Sequence, residues 1–200
     1  MKSFLISLLC LVTFSEVIAK DFVLVGVAGY GTRRPGNEWQ PSGAHENLPY
    51  GNAYKRFELV HYAKKKELKA IISEFNCKDG KQQSDLGLIV MANSWGSGKG
   101  IKLTKMYKKA CGRKADLFIM VDGFKKPLLP QGRKPVADKC YNFYQTKGII
   151  HGKKIKTCVN YDLTDRRCPK GVGGIECHIR VEWTGTAYGA DIINDYILRH

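Results

Sequence analysis

Residues 88 to 97 read L-I-V-M-A-N-S-W-G-S, and this stretch decides the predicted fold. The apolar residues predict a buried strand over Leu86 to Met91, and the segment from Gly98 to Cys111 predicts a helix. Between them lies the pattern A-x-S-x-G, in which a tight turn after a strand presents a serine hydroxyl to a base. We therefore predict that Ser94 is a nucleophile, because the small residues two positions before and after it let neighbouring backbones approach the turn.

The rest of the chain alternates between strand-like and helix-like segments. Strands are predicted over Phe22 to Ala28, Ala115 to Val121 and Lys156 to Tyr161, and helices over Ala53 to Asn76 and Gly189 to Leu198. Turn-rich stretches such as Lys125 to Lys134 lie between them. Strands separated by helices favour an α/β fold with a mostly parallel sheet flanked by helices. Ligands bind at the carboxyl ends of the strands in such sheets.

Residues 1–19 have the composition of a cleaved secretory signal peptide. Lys2 precedes an apolar stretch from Phe4 to Phe14, and Val-Ile-Ala at positions 17–19 ends the segment. The apolar stretch is shorter than the ~20 residues that a membrane-spanning helix needs. We expect the mature chain to begin at Lys20, to form a single domain over 20–200, and to be secreted or periplasmic.

The cysteine count supports export. Removal of the signal peptide leaves an even number of cysteines, which predicts disulfides in an exported chain: Cys77, Cys111, Cys140, Cys158, Cys168 and Cys177. Cys77 and Cys111 end the two predicted helices beside the Ser94 strand, so they could bridge, and a pair among the last three would hold the loop before residue 178. The spacings are too long for a typical zinc site, and we expect no metal.

The chain is strongly basic, with a formal net charge of +15. Lysine and arginine clusters are dispersed along it, for example at Lys64 to Lys66, Lys105 to Lys109 and Lys153 to Lys156. Such a field attracts an anionic membrane or polymer surface. Many exported proteins are simply basic, and the sequence carries no signature of a nucleic-acid-binding fold, so no specific nucleic-acid partner is expected.

Two further side chains fit the requirements of a nucleophilic serine. Asp122 directly follows the predicted strand that ends at Val121, where a carboxylate can orient an imidazole. His178 comes later, after a glycine-rich loop, and is favoured as the base. Its rival His151 precedes the fourth predicted strand and is expected at the opposite edge of the sheet. Asp162, after that strand, is the alternative acid.

The residues after Ser94 also partly match a phosphate-binding loop. Gly96 to Gly100 read G-S-G-K-G, which resembles the end of the pattern G-x-x-x-x-G-K-[ST]. Position 93 is Asn where the pattern needs Gly, and position 100 is Gly where it needs the hydroxyl that binds Mg²⁺. We expect no nucleotide and no other cofactor.

The motif A-N-S-W-G, the V-D-G at Val121 to Gly123 and the late Cys177-His178 together resemble the α/β-hydrolase superfamily, in particular its minimal secreted lipases and esterases. The resemblance spans most of the mature chain. It implies cleavage of carboxylic esters by a Ser94-His178-Asp122 triad, with the backbone N–H groups of Tyr30 and Trp95 as oxyanion hole. Ala28 stands where the family often has a histidine. The alternative is a non-catalytic cationic exported protein that binds anionic lipid or polymer surfaces.

Overall fold

The computed structural model describes residues 20–29, 55–59, 64–125 and 129–200, and a parallel sheet organises them. Its six strands, in chain order, are β1 (Phe22–Val27), β2 (Lys55–Leu59), β3 (Gly87–Asn93), β4 (Ala115–Val121), β5 (Ala137–Tyr144) and β6 (Val159–Asp162). Their spatial order is β6-β5-β4-β3-β1-β2, and every neighbouring pair is parallel. All carboxyl ends therefore lie at one edge, called here the carboxyl edge, and the strands begin at the opposite, amino edge.

The central strands are the most apolar ones. Every residue of β1, β3 and β4 is buried, as expected for strands that are covered on both faces and therefore show runs of apolar residues instead of alternation. β6 is partly exposed, with Val159 and Tyr161 about half exposed, which is consistent with its place at the end of the strand order. The sequence runs that predicted the sheet therefore belong to its middle.

Helices cover both faces of the sheet. Two of them, α1 (Lys65–Ser73) and α2 (Ser97–Cys111), pack on one face. The short α3 (Thr164–Arg167) leads to the long α4 (Gly174–Leu198), which packs on the other face. Side chains of successive strand residues alternate between these two clusters, because neighbouring residues of a strand point to opposite faces. The core is thus split into two apolar layers by the sheet.

Three disulfides cross-link the structure: Cys77–Cys111, Cys140–Cys158 and Cys168–Cys177. The first pair is the one predicted from the sequence, and the third joins two of the three cysteines expected to hold the segment before residue 178. Disulfides form and persist in oxidising compartments, so the pairing indicates that the chain folds in one. Within the described part of the chain, every helix is too short or too polar to span a bilayer.

Several predicted elements were wrong. The helix predicted from Ala53 to Asn76 divides into β2 and the shorter α1. Strand β5 was not predicted, because its buried and exposed residues follow no simple alternation. The last helix begins at Gly174 instead of Gly189, since buried contacts against the sheet stabilise a segment rich in glycine and threonine that local preference disfavours.

Candidate active site

Ser94 lies where β3 ends and a short 3-10 turn, Ser94–Gly96, leads into α2. Its backbone φ is +51°, in the left-handed region that non-glycine residues rarely occupy. Such a conformation costs on the order of 1–3 kcal/mol and persists only where the surrounding structure imposes it. This sharp change of direction aims the serine hydroxyl away from the strand, as the sequence motif predicted.

Two glycines make room for this turn. A Cβ on Gly96 would lie 2.4 Å from the carbonyl oxygen of Val27, so only glycine lets the turn pass so close to the end of β1. A Cβ on Gly29 would lie 2.4 Å from Cβ of Ser94 and 2.9 Å from its Oγ. The segment after β1 therefore runs directly beside the serine hydroxyl. The predicted close backbone approach at Gly96 is confirmed.

Asp122 directly follows β4 and is fully buried, also with a positive φ of 40°. Its Oδ1 accepts hydrogen bonds from the backbone N–H groups of Gln145 (3.2 Å) and Gly152 (2.6 Å). Its Oδ2 accepts from Nε2 of Gln145 at 3.0 Å and contacts Nδ1 of His178 at 2.6 Å. Both carboxylate oxygens are therefore held in place by neutral donors.

His178 bridges the other two side chains. Its Nδ1 faces Asp122, and its Nε2 lies 3.1 Å from Oγ of Ser94. Because a carboxylate only accepts hydrogen bonds, Nδ1 must carry the proton, which leaves Nε2 of the neutral ring as acceptor for the Ser94 hydroxyl. The three predicted residues are thus joined by two hydrogen bonds. His178 lies in the second turn of α4 and not in the loop that the sequence suggested.

One aromatic ring and two carboxylates lie beside the imidazole of His178. The ring of Phe124 contacts it edge-on, with ring centroids 5.3 Å apart. Burial by itself lowers the pKa of His178, but the charges of Glu182 and Asp122 and the hydrogen bond to Asp122 outweigh it, so the pKa lies above its usual value.

Glu182 is the residue that sequence reasoning missed. It lies one turn after His178 on α4, is 3% exposed, and places Oε1 3.5 Å from Nε2 of the imidazole. The same oxygen accepts a hydrogen bond from Nδ2 of Asn93 at 3.0 Å. Burial raises the pKa of Glu182 to about 7, although the charge of His178 and the hydrogen bond from Asn93 lower it. An (i, i+4) His-Glu pair is a signal, but it needs a helix that was not predicted there.

The other predicted site residues lie differently. The exposed Asp162 accepts hydrogen bonds from the backbone N–H (2.9 Å) and hydroxyl (2.5 Å) of Thr164, and Asp122 is the aspartate at Nδ1 of His178. His151 was expected at the amino edge, which was wrong, because its neighbour Gly152 bonds Asp122. Its own Nδ1 lies 2.7 Å from the Gly152 carbonyl oxygen.

Of the two predicted oxyanion donors, the structure describes Trp95. Trp95 is the second residue of the turn that begins at Ser94, and its ring packs against Phe124 with centroids 5.3 Å apart. Tyr30 lies outside the described residues. Within those residues, no group of three or more His, Cys, Asp or Glu side chains could hold a metal ion.

The arrangement can move a proton. The Ser94 hydroxyl donates to a neutral imidazole, and a carboxylate on the far side of the ring stabilises the imidazolium that would form. Comparison of the chain with protein-family models, with curated proteins and with solved structures finds no match.

Proposed function

We propose that the protein is a secreted serine hydrolase that cleaves carboxylic esters, similar to the small lipases and esterases of the α/β-hydrolase superfamily. The observation that carries the proposal is the continuous pair of hydrogen bonds from Ser94 through His178 to Asp122 at the carboxyl edge of the sheet. Nucleophile, acid and base follow the chain order Ser, Asp, His, which is the order of that superfamily.

The proposed reaction is a two-step acyl transfer. Oγ of Ser94 bonds to the ester carbonyl carbon while its proton passes to Nε2 of His178, and the carbonyl electron pair moves onto oxygen. His178 then returns the proton to the leaving alcohol as the C–O bond breaks. Water, deprotonated by the same imidazole, attacks the acyl-enzyme and releases the acid and free Ser94. Asp122 orients the ring throughout.

The oxyanion formed in each step needs donors. The backbone N–H of Trp95 follows the nucleophile and is the first proposed donor, and the N–H of Tyr30 is the second by resemblance to the family. The position of Gly29 supports an oxyanion loop in the segment that follows β1, because the backbone of Gly29 lies against the Ser94 side chain. The three disulfides support a secreted or periplasmic location.

A fluorophosphonate probe tests the proposal without knowledge of the substrate. We expect covalent labelling of Ser94, mapped by mass spectrometry, and turnover of short-chain p-nitrophenyl esters. Ser94→Ala should lose labelling and lower kcat by about 10⁴-fold or more, because no other group can form the acyl-enzyme. Ser97→Ala is the matched control, since its hydroxyl donates to the Phe124 carbonyl oxygen (3.4 Å) and the variant should leave labelling intact. Full turnover in folded Ser94→Ala would refute the proposal.

The surface charge favours a second candidate function, binding to an anionic lipid or polymer surface without catalysis. The outer side of α2 exposes Lys102, Lys105, Lys108 and Lys109, and the net charge is +15. Sedimentation with phosphatidylserine vesicles that weakens with salt and is unchanged in Ser94→Ala, together with no ester turnover and no probe labelling, would favour this function over hydrolysis.

A further inference from the structure

The site holds one more buried carboxylate than a Ser-His-Asp triad uses. Asp122 lies at Nδ1 of the imidazole, whereas Glu182 lies at the opposite nitrogen, with Oε1 3.5 Å from Nε2. Both side chains are almost completely buried. A buried carboxyl group is costly unless other groups stabilise it, so its position beside the reacting nitrogen calls for a role.

Several elements of the described structure place groups beside Glu182. From the end of β3, Asn93 donates a hydrogen bond to Oε1, and the side chain of Ser94 also lies beside the carboxylate. From the segment after β1, the Cβ position of Gly29 lies 3.4 Å from the same oxygen. Among the residues that the structure describes, His178 is the cationic group that acts on Glu182, and Asp122 is an acidic group that acts on it. The electrostatic partner of Glu182 is therefore the imidazole.

Resting on the proposed function, we propose that Glu182 is a positioning residue whose negative charge stabilises the protonated ring of His178 from the Nε2 side, while Asp122 holds the ring from the Nδ1 side. Protonation of the ring accompanies attack by Ser94, so a charge 3.5 Å from Nε2 favours the state that the reaction creates. The hydrogen bond from Asn93 holds the carboxylate oxygen in this position.

The sign of the pH effect follows from the charges. His178 must be neutral to accept the Ser94 proton, so activity falls at low pH as the ring becomes protonated. Glu182 attracts the ring proton and moves this loss to higher pH, in the same direction as Asp122 does. Burial raises the pKa of Glu182 and the positive ring of His178 lowers it, so the ring proton and the negative charge of Glu182 favour each other. Neutralising it should therefore widen the active range on the acid side.

Glu182→Gln tests the proposal, since the amide keeps the shape and can still accept from Asn93. We expect the acid limb of kcat/KM to move to lower pH, so that relative activity on the limb rises about tenfold. An opposite charge within about 4–6 Å is worth a pKa unit or more. On the alkaline plateau kcat should fall about tenfold with KM unchanged, because the imidazolium is less stabilised.

A control and a second readout separate this role from general damage. Glu176→Gln removes the same charge from the same helix, but Glu176 is exposed and paired with Arg180, so its profile should match wild type. NMR titration of the His178 ring measures the same effect without any substrate. We expect the ring of Glu182→Gln to titrate at lower pH than that of wild type.

The titration also distinguishes two failures. If wild type neither labels with the probe nor turns over esters, the proposed function fails, but the ring titration still decides the role of Glu182. An unshifted His178 titration in folded Glu182→Gln overturns the inference even in an active enzyme. Should that variant not fold, Glu182→Asp withdraws the carboxylate by one methylene and should give a smaller shift of the same sign, and no shift would overturn the inference.

Discussion

One buried aspartate lies near the start of β4 and another directly follows its end. The two carboxylates have different partners. At the amino edge, Asp116 forms an ion pair with Lys20 and accepts the backbone N–H of Leu88 at 2.8 Å. At the carboxyl edge, Asp122 accepts only from neutral amide groups and from the ring of His178. The ammonium group of Lys20 is the ionic partner of the first carboxylate. The second carboxylate instead contacts an imidazole, which can gain or lose a proton.

Burial of a carboxylate therefore does not by itself identify an active site. Asp116 links the first described residue to two central strands, and its hydrogen bonds end there. Asp122 continues into a chain of side chains that ends at a serine hydroxyl. The partner, and whether that partner can take up a proton, distinguishes a structural role from a chemical one.

The largest expected effect comes from the carboxyl edge. Asp122→Asn keeps the shape but allows the amide to donate to Nδ1, which favours the wrong tautomer of His178. We expect kcat to fall about 10⁴-fold. The melting temperature of the variant should stay close to that of wild type. Asp162→Asn is the control and should stay within about twofold of wild type, since its carboxylate bonds Thr164. The reverse pattern of rates would assign the acid to Asp162.

Two of the disulfides lie at opposite edges of the sheet, one at the amino edge and one at the carboxyl edge. Cys77–Cys111 closes a sequence separation of 34 beside the start of β4, and Cys168–Cys177 closes one of 9 directly before His178. Serine replacement of both cysteines should cost about 4 kcal/mol of unfolding free energy for the first pair and about 3 kcal/mol for the second.

Activity should rank these variants in the opposite order. Loss of Cys168–Cys177 frees the start of α4, so we expect kcat/KM to fall at least about tenfold in the folded variant. Loss of Cys77–Cys111 should leave it near wild type. Denaturant unfolding and ester kinetics on the same samples measure both quantities, and equal losses of activity would show that the two edges are not independent.

The smallest effect is expected at the amino edge. Asp116→Asn removes the ion pair with Lys20 and retains an acceptor for Leu88. Because the Lys20 side chain is 19% exposed and regains some hydration, the cost should be about 1–3 kcal/mol, below that of breaking a fully buried pair. kcat/KM of the folded protein should not change. A loss of turnover beyond about threefold would contradict the structural role assigned to Asp116.

The central part of the fold was predictable from local sequence. The continuous apolar runs of β1, β3 and β4 are typical of strands buried on both faces, and the small residues around Ser94 predict the turn there. Asp122 was predictable because it directly follows β4. The outer strand β5 and the first half of α4 were not, since their sequences show no simple period and packing against the sheet stabilises them.

The apolar strands, the bend at Ser94, the acid after β4 and the six cysteines that follow residue 19 could be read from the sequence alone, because each depends on residue types or on residues that are neighbours in the chain. Only the tertiary structure decided which groups meet at the carboxyl edge. The donors around Asp122 come from 23, 30 and 56 positions further along the chain, and no local pattern records such distances. Glu182 faces the imidazole of His178 because both lie on one helix whose position is set by packing against the sheet.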